Sequence, residues 1–158
     1  MRQKTTTLGF AGALGAAVLA LLVSGCGSER EPARFDVQQC LGKDEEAIAI
    51  LLGSPSETAG TAVSERRLVY RQPPAPLETL ELVTSESGVC IQVTGTTSTG
   101  FDTPEALLDA IGLGEVERQR AGRDPLGMNY EIAGVGAVQV HRPSSTVSEY
   151  RNFTVTAE

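Results

Sequence analysis

Gly42-Lys43-Asp44-Glu45-Glu46-Ala47-Ile48-Ala49-Ile50-Leu51-Leu52-Gly53-Ser54-Pro55 reads as a short helix with both ends marked. Asp44 can accept from the free amides of the first turn, and Glu45 and Glu46 complement the positive end of the helix dipole. Gly53 suits a left-handed stop, and Pro55 forbids continuation. Ile48, Leu51 and Leu52 fall on one face, which needs a covering element.

That cover follows downstream. Residues 67–71, 78–84 and 88–94 are rich in Val, Leu, Ile, Thr and Tyr, and are separated by Gln72-Pro73-Pro74-Ala75-Pro76 and by Ser85-Glu86-Ser87-Gly88. Leu80 and Leu82 share a face and alternate with Thr79, Glu81 and Val83, the pattern of an antiparallel meander lying on a helix. The second half repeats the plan. Thr103-Pro104-Glu105-Ala106-Leu107-Leu108-Asp109-Ala110-Ile111-Gly112 has a capping hydroxyl, Pro at the first helical position and Gly beyond the end. Aligning Gly112 on Gly53 puts Leu107 on Ile48 and Ile111 on Leu52. Tyr130 then lies close to the place of Tyr70, and residues 128–132, 135–142 and 146–156 read as three more strands. The expected fold class is α+β: short helices packed on one face of antiparallel three-stranded meanders, in two tandem repeats at 35–95 and 96–158. The competing reading is that any two small α+β segments look alike at this level.

Upstream, Arg2 and Lys4 precede an apolar run from Leu8 to Val23 that contains Gly9, Gly12 and Gly15. A membrane-spanning helix needs roughly 20 apolar residues, so this shorter run reads as a signal peptide over 1–25. It ends in Leu22-Val23-Ser24-Gly25-Cys26, which resembles the bacterial lipobox. The resemblance implies cleavage after Gly25, a thioether-linked diacylglycerol on Cys26, a membrane as first partner and an extracytoplasmic location. Residues 26–34, with Ser28, Glu29, Arg30, Glu31 and Pro32, read as a tether.

Removing residues 1–25 takes away two of thirteen basic residues and none of twenty acids, so the net charge moves from −7 to −9. Such a domain repels phosphate backbones, and nucleic acid is excluded as a partner. Trp is absent and aromatic content is 4%, so stacking platforms for sugars or bases are scarce. Once Cys26 carries lipid, Cys40 and Cys90 remain, and in an oxidising compartment an even pair reads first as a disulfide. One tension accompanies that expectation. Val89, Ile91 and Val93 alternate as the buried face of a strand, which points Cys90 the other way. The absence of Cys-x-x-Cys disfavours a thiol-redox enzyme.

The first unit resembles the SmpA/OmlA, BamE-like lipoprotein domain over roughly residues 35 to 95. The likeness rests on Gly42, Asp44, Ile48 to Leu52, Gly53-Ser54-Pro55, Leu68-Val69-Tyr70, and Leu80-Glu81-Leu82 leading through Ser87-Gly88-Val89. It implies helices on one face of a three-stranded sheet, and a related tandem arrangement occurs in the β-lactamase-inhibitor-protein fold. The implied role is a small accessory subunit that binds partner proteins and lipid.

No catalytic constellation assembles. His141 is the only histidine, and a hydrolase would need it beside a serine and an acid such as Asp109 or Asp124. There is no Gly-x-Ser-x-Gly elbow. Zinc would need more Cys or His ligands, and Asp44, Glu45 and Glu46 serve a helix dipole. Gly134-Val135-Gly136 reads as a hairpin turn. Arg118, Arg120 and Arg123, with Glu115 and Glu117, read as an exposed connection of mixed charge, with a local anion or partner contact as the other reading. The sequence therefore predicts a non-catalytic envelope lipoprotein without metal or cofactor, binding a protein partner as accessory or scaffold. The alternative is an extracytoplasmic ligand-binding or enzyme-inhibitor-like lipoprotein.

Overall fold

The computed structural model describes residues 35–60, 65–114 and 117–158. The stretches read as a signal peptide (1–25) and a tether (26–34), with Cys26, lie outside the described residues. Helix α1 (Glu45–Leu52) is capped by Asp44, whose side chain accepts from the Ala47 amide, and it stops at Gly53, where φ is 77°. Helix α2 (Pro104–Ala110) is capped by Thr103, whose hydroxyl accepts from the Ala106 amide. Each helix precedes four strands: β1 (Glu57–Gly60), β2 (Arg66–Tyr70), β3 (Leu77–Thr84) and β4 (Cys90–Phe101) after α1, then β5 (Arg118–Arg123), β6 (Gly127–Ile132), β7 (Gly136–His141) and β8 (Tyr150–Ala157) after α2.

All eight strands form one antiparallel sheet in the order β1-β2-β3-β4-β8-β7-β6-β5. This overturns the expected α+β class of helices on three-stranded meanders. The protein is mostly one continuous eight-stranded sheet, joined at its middle by β4 and β8, with Val93 opposite Val155 and Gly95 opposite Phe153. The two strands absent from the sequence reading are the outermost ones. β1 is Glu-Thr-Ala-Gly, and β5 is Arg-Gln-Arg-Ala-Gly-Arg with nearly every position exposed. An edge strand needs only backbone pairing on its inner side, so its side chains carry no apolar alternation. The arginines read as a connection are thus an edge strand.

One face of the sheet is apolar and covered. Leu68 and Tyr70, Leu80 and Leu82, Val93, Phe153 and Val155, Val138 and Val140, and Tyr130 and Ile132 all point into a single core. α2 contributes Leu107 and Leu108, both fully buried, whereas α1 buries Ile48 fully and Leu52 in part; Leu51 is 44% exposed. The segment from Phe35 to Lys43 completes the cover. The amides of Phe35 and Val37 donate to the carbonyls of Ala110 and Ile111, and a 3-10 turn (Val37–Gln39) leads to Cys40.

Candidate functional site

The sheet's alternation makes its other face the free one. Gln92, Thr94 and Thr96 of β4 stand beside Asn152 and Thr154 of β8, with Gln139 of β7 next to Thr154. None of these six is buried. They hold one another: Thr94 Oγ1 lies 3.3 Å from Thr154 Oγ1, the Thr96 hydroxyl donates to Asn152 Oδ1 at 3.1 Å, and Gln92 Nε2 donates to Thr94 Oγ1 at 3.3 Å. The centre of the face is therefore neutral, polar and ordered by cross-strand pairs. Charge borders this centre directly: Glu81 of β3 stands opposite Thr94 and is bonded to Arg67 of β2 at 2.6 Å. At the β5–β6 side, Glu117, Gln119, Glu131, Ala137 and Glu158 line an open groove of about 540 Å³.

Two ion-pair clusters tie the helix starts to the sheet. Glu45 accepts from Arg66 at 2.6 Å and from the Thr84 hydroxyl at 2.8 Å. Glu105 accepts from Arg120 at 2.8 Å and from the Tyr130 hydroxyl at 3.0 Å. Burial pulls the Glu105 carboxyl upward, but hydrogen bonds from Arg120, its own backbone amide and Tyr130 outweigh this and hold it below the usual carboxylate range. Burial, then the neighbouring Glu105, pushes the Tyr130 phenol up.

The structure brings together only part of the residues singled out for chemistry. His141 Nδ1 lies 3.6 Å from Asp124 Oδ2. Asp124 Oδ1 accepts from the amides of Leu126 and Gly127, so this acid shapes the β5–β6 turn. Among the described residues no serine is hydrogen-bonded to His141. Asp109 lies apart from that pair, 3.8 Å from Arg118, whose guanidinium also donates to the Gly114 carbonyl. Among the described residues no cluster of Cys, His, Asp and Glu could hold a metal ion. Gly134 to Gly136 forms the β6–β7 turn, with the Val135 amide donating to the Ile132 carbonyl.

Cys40 and Cys90 are both buried as free thiols. Cys90 faces the core, opposite Thr84, because the register shifts between Val83 and Thr84. That irregularity takes up one residue of β4, so Cys90 shares the inner side with Val93 and the strict alternation read from Val89, Ile91 and Val93 fails there. The six-residue polar patch was missed in the sequence. Its signal is the Thr and Gln alternating with Ile91, Val93 and Gly95, which becomes visible only when β4 and β8 are known to be neighbours.

No family model matches the chain, and no curated protein matches it. Solved structures share its fold. A cysteine-rich secretory protein from Staphylococcus aureus superposes with a TM-score of 0.56 at 10% identity, covering 81% of this chain and 47% of that one. An extracellular SCP-domain protein from Bacillus anthracis superposes with a TM-score of 0.57 at 13% identity, covering 87% of this chain and 50% of that one. The chain spans about half the length of each. The fold is thus one found in exported bacterial proteins, and among the described residues no helix is long and apolar enough to cross a membrane.

Proposed function

We propose that the mature chain is a non-catalytic accessory protein, held on the outer side of a bacterial membrane by lipid on Cys26, that binds a protein partner through the open face of its sheet. The observation that supports this most directly is the asymmetry of that sheet. One side is sealed by α2, α1 and the N-terminal segment, while the other presents Gln92, Thr94, Thr96, Gln139, Asn152 and Thr154 uncovered. Neutral hydroxyls and amides carry little desolvation cost compared with charges and can pair with a partner's polar groups. With no Trp in the chain, this face lacks the indole platform commonly used for sugars, which favours a polypeptide.

The test is crosslinking in intact cells followed by recovery of the chain from membranes, comparing the native protein with a Thr94→Arg, Thr154→Arg variant. Two arginines in the middle of the patch should reduce recovery of a specific protein about tenfold. The two arginines stand opposite each other and replace the hydroxyl contact, so the thermal midpoint should fall by about 5 °C, and recovery is compared well below the variant's own transition. Equal recovery from both forms would overturn the assigned face. Mass spectrometry of the membrane-recovered chain that found Cys26 without an acyl group would overturn the anchor.

A further inference from the structure

Cys40 and Cys90 lie 50 positions apart in the sequence, yet the two residues that follow Leu41 pair with the backbone of Cys90. The Gly42 amide donates to the Cys90 carbonyl at 2.9 Å, and the Cys90 amide donates to the Lys43 carbonyl at 2.8 Å. Asp44 and Val89 form a further antiparallel bridge. The N-terminal segment is thereby held against the first residue of β4. Both cysteine side chains are fully buried in the same core cluster, and the Cys90 thiol donates weakly to the Gln92 carbonyl at 3.5 Å. Tyr70, opposite Leu80, belongs to the same cluster.

We propose that Cys40 and Cys90 form a disulfide that fastens the N-terminal segment to β4, and that the bond is made before this segment docks. The proposal rests on the extracytoplasmic placement above, because a reducing cytosol keeps such thiols reduced. Each thiol gives up its proton and the two sulfurs bond. The two electrons pass to a second disulfide, that of oxidised glutathione or of an exported dithiol oxidase, which leaves as two thiols. The order of events follows from burial. Burial, together with the neighbouring Cys90 and Asp36, pushes the Cys40 thiol up to about 12. Burial likewise pushes Cys90 up to about 11, against a lowering hydrogen bond at Gln92. The thiolate is the attacking species, so the folded, reduced protein is a poor substrate for exchange.

The experiment uses the full chain purified from membranes, reduced, unfolded in urea and diluted into a buffer of reduced and oxidised glutathione. Peptide mass mapping should find Cys40 joined to Cys90, and the oxidised protein should melt about 10 °C above its reduced form. Free thiols or glutathione adducts at both positions after refolding would overturn the bond. Iodoacetamide should label the folded reduced chain more slowly than the urea-unfolded chain, because both thiols are fully buried in the fold. Equal labelling rates would overturn the order of events. A second arm blocks thiols in acid-quenched cells. A bond that forms in glutathione buffer but is absent from cells supports the site while refuting the outer placement.

Discussion

Gly95 sits where the two halves of the sheet meet, and the Phe153 ring lies across it. A methyl group there would fall 2.6 Å from Phe153 Cζ and 3.0 Å from the Thr79 carbonyl oxygen. Gly95→Ala should therefore displace a fully buried ring and destabilise the protein by about 2 kcal/mol, measured by urea denaturation. Glu105 gives a pH-dependent prediction at the same scale. Its folded carboxyl is held below the ordinary value of 4.5, so its contribution is complete above that value and is lost as pH falls through the lower folded one. Glu105→Gln should lower the melting midpoint by about 3 °C at pH 7 and leave it unchanged near pH 2; the carboxylate's partial exposure screens the effect and keeps it small. The capping roles of Asp44 and Thr103 were legible from residue type and position alone, because a cap is a local interaction within four residues. The direction of Cys90 was not, since it depends on an irregular pairing with β3 that no local pattern records.

α1 and α2 look alike in sequence but are buried very differently. α2 buries Leu107, Leu108 and Ala110, whereas α1 buries Ile48 and leaves Ile50 83% exposed. Ile48→Ala should cost about 2–4 kcal/mol by denaturant unfolding, and Ile50→Ala should stay within about 0.5 kcal/mol. The expected stripe of Ile48, Leu51 and Leu52 follows helical geometry, but a stripe states which residues could be covered and not how far the cover extends. Strands with buried neighbours on both sides were readable for the same reason that the helices were: β3 and β7 each alternate apolar and polar positions. β1 and β5 had no such pattern, and their absence from the reading turned one wide sheet into two narrow ones.

At the level of the whole molecule, the decisive contact joins residues that local pattern cannot connect. β4 and β8 are separated by α2 and three strands, and only their shared inner residues, Val93 with Val155 and Gly95 with Phe153, reveal them as neighbours. The polar patch inherits that limit, because three of its residues come from β4, two from β8 and one from β7. Removing residues 150–158 should take out the strand between β4 and β7 and abolish the cooperative thermal transition, followed by near-ultraviolet circular dichroism. The placement of β8 also bears on how the protein is made. A polypeptide emerging head first from a ribosome or translocation pore cannot insert its middle strand until residue 157 is free. Until then, the half-sheets β1–β4 and β5–β7 each end on an unpaired inner edge, with Val93 on one side and Val138 and Val140 on the other waiting for the residues that join them.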